Sequence, residues 1–293
     1  MIVRRILVAL DGSPLAESVL PAAASLAQTL RARLILLHVL ERDPPPSVHG
    51  EVHLTNAVDA RQYLEGQAAR LRGEGIGVES DVHERPVTDI AAALDRHAHE
   101  LDADLIAMCA HGRTNLRDRL LGTIAERILR GGSIPILLRT VRRPRLDGFQ
   151  LRNVLVPIDF GHDIEAALEA ARTFARAYGA MITLLTVPEP ASPTGTGMLP
   201  ATTAVARALD EAGAERRLDA LAERLRAESL DARTLVAKRQ PSDAIADATE
   251  SLPAELIVLV TDAHGGVSRW YDPSTAQRVL AVPDLTLLLI KEL

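Results

Sequence analysis

The chain has 293 residues, enough for two domains of about 146 each, and its 47% hydrophobic and 25% charged residues suit packed cores rather than disorder. Aromatic residues make up 2% of it and the net charge is −6, so there is neither a base-stacking platform nor a basic footprint for nucleic acid. The single cysteine, Cys109, excludes an intramolecular disulfide and a multi-cysteine zinc site.

The first apolar run, Ile6-Leu7-Val8-Ala9-Leu10, stops at Asp11 and is too short for a signal-peptide core. It reads as a strand, followed by an Ala-rich helix over residues 14–30 and a second apolar strand over 34–39. Residues 43–50 form a loop that needs no regular structure, and Gly73-Glu74-Gly75-Ile76-Gly77 is a turn between helix and strand, the wrong context for a dinucleotide fingerprint. Arg85-Pro86-Val87-Thr88-Asp89-Ile90 opens a helix with Pro in its first turn. A fourth strand covers 104–110, a glycine-bearing loop and a helix follow, and a fifth strand covers 134–139. The polar stretch 142–148, with Pro144 and Gly148, suits a linker.

The order then repeats. Asn153-Val154-Leu155-Val156-Pro157-Ile158-Asp159 echoes the first strand and its Asp, with a helix over 164–178, a strand over 182–187 and a loop over 188–203. Gln240-Pro241-Ser242-Asp243-Ala244-Ile245 echoes the segment at Arg85, and strands cover 255–261 and 285–290. No run approaches the roughly 20 apolar residues of a membrane helix. The expectation is a cytoplasmic α/β protein without a membrane partner, built as two tandem doubly wound domains, residues 1–143 and 151–293. Each has a five-stranded parallel sheet covered by helices on both faces.

In such sheets ligands sit beyond the carboxyl ends of strands where the strand order reverses. In the first half Asp11 follows the first strand, and Cys109-Ala110-His111-Gly112-Arg113 opens the loop after the fourth. Gly112 and Gly122 let backbone amides approach an anion, and Thr123 begins a helix whose N-terminus attracts negative charge. On the residues alone two readings stand: a phosphate site, or a capping box at Thr123 and Glu126 with glycines that only serve turns.

Val8-Ala9-Leu10-Asp11-Gly12-Ser13, Ala110-His111-Gly112-Arg113-Thr114 and Leu120-Leu121-Gly122-Thr123-Ile124-Ala125-Glu126-Arg127 together resemble the universal stress protein family, and the whole chain resembles its tandem-domain members. The family's nucleotide pattern is Gly, two residues, Gly, nine residues, Gly, then Ser or Thr. Gly112, Gly122 and Thr123 match it, whereas Cys109 stands at the first glycine. The resemblance implies a fold of the adenine-nucleotide alpha-hydrolase type and ATP as ligand, with Mg²⁺ as a companion. It puts Asp11 near ribose, phosphate or metal, the Val39 backbone at the adenine edge, and Met108, Cys109, Gly112, Arg113, Gly122, Thr123 and Ile124 around sugar and phosphates. It also implies that last strands pair across a two-fold axis, giving an internal pseudo-dimer or a homodimer, and it leaves room for a protein partner.

The second half keeps Asp159 but reads Thr261-Asp262-Ala263-His264-Gly265, with seven residues before Pro273 where the first half has nine before Gly122. Asp262 and Asp272 repel phosphate and Pro273 lacks a donor, so only a cap, Ser274-Thr275-Ala276-Gln277, persists. Charge agrees: residues 1–148 are neutral overall and 149–293 carry the whole −6.

Other signals carry less. Only Lys238 and Lys291 occur, and neither follows a glycine run, which disfavours a Walker-type phosphotransferase. His97 and His99, two apart on a helix, do not share a face for metal, and no Gly-x-Ser-x-Gly elbow occurs. The leading expectation is a stress-response ATP-binding regulatory protein whose second domain is structural or regulatory. The alternatives are a partner-binding scaffold without nucleotide and a slow Mg²⁺-dependent ATPase using Asp11, for which no activated base is evident.

Overall fold

A computed structural model describes residues 1–44, 47–48, 51–52, 54–111, 123–141, 143, 146, 148–160, 164–188, 200–238, 240–252, 254–261, 279 and 284–291. The chain divides into two compact units, one built on Met1–Gln150 and taking in Leu280–Leu293, the other built on Leu151–Leu259.

In chain order the first unit holds β1 (Arg5–Ala9), a 3-10 turn at Ala16–Val19, α1 (Leu20–Leu30), β2 (Arg33–Glu41) and a two-rung hairpin of β3 (Ser47–Val48) with β4 (Glu51–Val52). It continues through α2 (Ala57–Gly73), β5 (Val78–Val87), α3 (Ile90–Glu100), β6 (Leu105–His111), α4 (Thr123–Gly131) and β7 (Ile136–Val141). The strands run in the order β7-β6-β1-β2-β5 and are all parallel. The chain thus winds outward from β1 to one side and then to the other, and the order reverses between β1 and β6.

The central strands are apolar on both faces because helices cover both. Ile6, Leu7, Leu34, Leu36, Leu37, Leu105 and Ile106 are each 2% exposed or less. Strand β5 is an edge and largely exposed instead, with Val78 and Val82 its buried residues. Pro86 lies in this strand and not in the first turn of a helix as its spacing predicts. An edge strand tolerates a missing N–H, and Asp89 caps α3 three residues later by accepting the Ala92 N–H at 3.0 Å. Two further expectations shift: the loop at 43–50 contains β3, and the helix expected from residue 14 is a 3-10 turn before α1, with Pro21 in the first turn where its lost donor is harmless.

The second unit holds β8 (Asn153–Pro157), α5 (Glu165–Tyr178), β9 (Met181–Thr186), α6 (Pro200–Ala227), β10 (Ala232–Val236), α7 (Pro241–Ser251) and β11 (Leu256–Thr261). Its parallel order is β10-β9-β8-β11. Helix α6 starts inside the stretch 188–203 that reads as loop, and Pro241 does open α7. The repeat is visible at the level of register: Arg5 pairs with Arg33 in the first unit and Asn153 with Met181 in the second, with the same spacing between partners.

The last strand, β12 (Thr286–Lys291), is grouped with the first unit and pairs antiparallel with β7, Thr286 with Arg139 and Leu289 with Ile136. Around this pairing the Thr140 hydroxyl accepts the Leu285 N–H at 3.1 Å, and the Arg139 guanidinium donates to the Asp284 carbonyl at 2.8 Å and to Thr286 Oγ1 at 3.0 Å.

Candidate functional site

The reversal of strand order places two separate loops side by side. Strands β1 and β6 are hydrogen-bonded neighbours, with Val8 opposite Ala107, so Asp11 beyond β1 and Cys109 near the end of β6 emerge at the same edge of the sheet. Their proximity is felt electrostatically. Burial pushes the Cys109 thiol up to about 12, the Asp11 carboxylate adds to that rise, and the Arg139 guanidinium opposes it. Cys109 is 3% exposed and faces Arg139 in strand register. It is therefore a neutral, buried thiol rather than a nucleophile.

Asp11 sits in a tight turn of its own making. Its Oδ1 accepts the Ser13 N–H at 2.8 Å, and the Ser13 hydroxyl accepts the Ala16 N–H at 3.1 Å to start the 3-10 turn. Between them Gly12 has φ of +90°, a conformation that glycine adopts without strain.

The other expected positions divide into two groups. Val39 lies in β2 and Met108 in β6, both nearly buried at 7% and 8% exposure, and Val39 pairs with His83 of β5. Thr123 is the first residue of α4 and Ile124, half-buried, the second, so a helix N-terminus follows the loop as the spacing implies. Gly112, Arg113 and Gly122 lie outside the described residues.

A polar cluster that sequence reasoning does not single out stands beside Asp11. The Tyr63 hydroxyl donates to Glu17 Oε1 at 3.0 Å and the Gln67 amide to the same oxygen at 2.9 Å. Burial and the Glu17 carboxylate, with a smaller contribution from Asp11, hold the Tyr63 phenol far above its ordinary value. Tyr63 and Gln67 share a face of α2 by their spacing of four, but nothing in the sequence announces Glu17 as their partner. Among the described residues no three His, Cys, Asp or Glu side chains gather as metal ligands.

The corresponding end of β8 is built differently. Asp159 is 6% exposed, and Phe160 occupies the place that Gly12 has in the first repeat. The Arg217 guanidinium from α6 stacks 3.9 Å over the Phe160 ring. The glycine of the first repeat is thus replaced by an aromatic ring under a cation.

Comparison with known proteins agrees with the repeat. The sequence model of the universal stress protein family matches residues 3–139 and again 150–291. Universal stress protein A homolog 1 of Coxiella burnetii (strain RSA 493 / Nine Mile phase I) is 31% identical over 139 residues, covering 46% of this chain and 94% of the relative. Universal stress protein Sll1388 of Synechocystis sp. is 27% identical over 150 residues, covering 46% and 96%. The crystal structure of a universal stress protein from Archaeoglobus fulgidus DSM 4304 superposes with a TM-score of 0.71, covering 98% of this chain and 96% of that one. At 19% identity that likeness is one of fold. Among the described residues no helix is long and apolar enough to cross a membrane.

Proposed function

Since the chain belongs to the universal stress protein family, matched twice along its length, we propose that it is a cytoplasmic stress-response regulator whose first domain, residues 1–143, binds ATP. The second domain, residues 151–293, serves as its structural or regulatory counterpart. The observation that carries this reading is the placement of Asp11 and Cys109 together at the C-terminal end of β1 and β6, where the strand order reverses. A carboxylate there accepts from sugar hydroxyls or holds Mg²⁺ through water, and the N-terminus of α4 favours phosphate. In this reading Asp11 meets ribose or metal and the Val39 backbone meets the adenine edge. Met108, Gly112, Arg113, Gly122, Thr123 and Ile124 surround sugar and phosphates. Cys109 at the first glycine position is compatible with the ligand because its thiol is neutral and turned into the protein.

The buried Asp159 and the Phe160–Arg217 stack favour the asymmetric assignment, since Phe160 stands where the first copy has Gly12. The test is a titration with a fluorescent ATP analogue. Gly122→Asp is expected to abolish binding and Pro273→Gly to leave it unchanged, whereas equal effects from the two would contradict the assignment.

A further inference from the structure

The loop that carries Asp11 is gripped from two sides by residues outside the set assigned to the ligand. His38 lies in β2, one residue before Val39, and is 2% exposed. Its Nδ1 stands 2.8 Å from the Leu10 carbonyl oxygen and its Nε2 3.3 Å from the Leu54 carbonyl oxygen. Leu10 is the residue immediately before Asp11, and its own N–H donates to the Leu37 carbonyl at 3.0 Å. On the other side the Leu54 side chain presses on the turn. A Cβ at Gly12 would stand 2.7 Å from Leu54 Cδ1 and 2.8 Å from Cγ, closer than real Cβ contacts come.

We infer that His38 and Leu54 are positioning residues for Asp11. This rests on the nucleotide reading above and deepens it. His38 acts through the Leu10 carbonyl. A buried carbonyl that loses its donor is costly, so the peptide leading into Asp11 is not free to turn away. Leu54 acts through Gly12, filling the space above a backbone that only glycine can follow there. Of the two carbonyls facing the ring the Leu10 oxygen is the nearer, at 2.8 Å against 3.3 Å for that of Leu54, and a neutral imidazole has one N–H to give. The carboxylate is therefore oriented before a ligand arrives, and binding does not have to order this loop.

The chemistry separates this role from simple core packing. An asparagine at position 38 keeps an N–H donor at the place of Nδ1, toward the Leu10 carbonyl, whereas a phenylalanine keeps the ring volume and has none. The experiment uses the full chain, an ATP titration with a fluorescent analogue, and amide hydrogen exchange read at Ser13 and Ala16, whose N–H groups close the turn. His38→Phe is expected to weaken ATP by about tenfold and to speed exchange at both amides. His38→Asn restores most of both, Leu54→Ala reproduces the faster exchange, and the β7 amides stay unchanged in all three.

Wild-type affinity and exchange in His38→Phe would overturn the inference, as would His38→Asn proving as damaging as His38→Phe. Failure of the wild type to bind ATP would instead refute the nucleotide reading. The exchange measurement then decides the positioning role by itself, with unchanged Ser13 and Ala16 amides overturning it. Should His38→Phe not fold, Leu54→Ala carries the same two readouts with the same expected directions.

Discussion

At Gly12 two costs of substitution coincide, the positive φ and the contact with Leu54, and they can be separated. Gly12→Ala is expected to destabilise the protein by about 1–3 kcal/mol in chemical denaturation. In a Leu54→Ala background the added cost of Gly12→Ala shrinks but does not vanish, because removing Leu54 relieves the contact and not the backbone strain. Equal costs in both backgrounds would show that the contact is immaterial. A second residue-scale feature is the pair His83–His97, whose Nδ1 and Nε2 lie 2.8 Å apart with the rings edge to face. One nitrogen must donate and the other accept. Burial, then the positive charges of His97 and Arg96, hold the His83 imidazole below its ordinary value, against the pull of Asp81 and Glu100. The folded state thus prefers neutral His83. Stability is full above the ordinary imidazole value of about 6.5 and is lost as pH falls from there through the lowered value. The melting temperature is expected to drop between pH 7.5 and 5.5, and to drop less in His83→Gln. An identical drop in the variant would exclude the pair as the cause.

Comparison of the two repeats turns elements into internal controls. Helices α1 and α5 end alike, with a left-handed residue donating back to the helix, but the first uses Arg31 at φ +57° and the second Gly179 at φ +64°. Arg31→Gly is expected to stabilise the chain by up to about 1 kcal/mol and Gly179→Ala to destabilise it by a similar amount, both read from denaturant midpoints. In the second unit Arg172, with 12% of its side chain exposed, donates to Glu165 at 2.7 Å and to Glu228 at 3.1 Å, joining α5 to the residue just after α6. Arg172→Ala leaves two carboxylates without this partner, and a loss of roughly 1–3 kcal/mol is expected.

The element order was readable because the central strands are continuous apolar runs and each repeat restates the other. The β1–β6 neighbourhood is where the sheet order reverses, and the strand pairing supplies it. Pro86 misled because a proline near a helix start and a proline on an edge strand look alike until the sheet order is known. The beginning of α6 was hidden by its Pro- and Thr-rich N-terminal stretch. His38 and Glu17 were invisible for a different reason, since their partners Leu10, Leu54, Tyr63 and Gln67 come from other elements and bind through carbonyls or through residues of no set pattern.

For the whole molecule, the first unit is completed by the end of the chain, and that has a consequence for dissection. Residues 1–150 alone would leave the outer edge of β7 unpaired, with Leu137 and Leu138, fully buried in the intact protein, next to it. Such a fragment is expected to self-associate in size-exclusion chromatography with light scattering, while the full chain does so less at equal concentration. The central claim is that two related domains carry one nucleotide site, in the first. Native mass spectrometry of the full chain with ATP and Mg²⁺ tests it most directly. The account predicts a single added nucleotide per chain, lost in Gly122→Asp and retained in Pro273→Gly. Two nucleotides per chain, or one that survives Gly122→Asp, would contradict it.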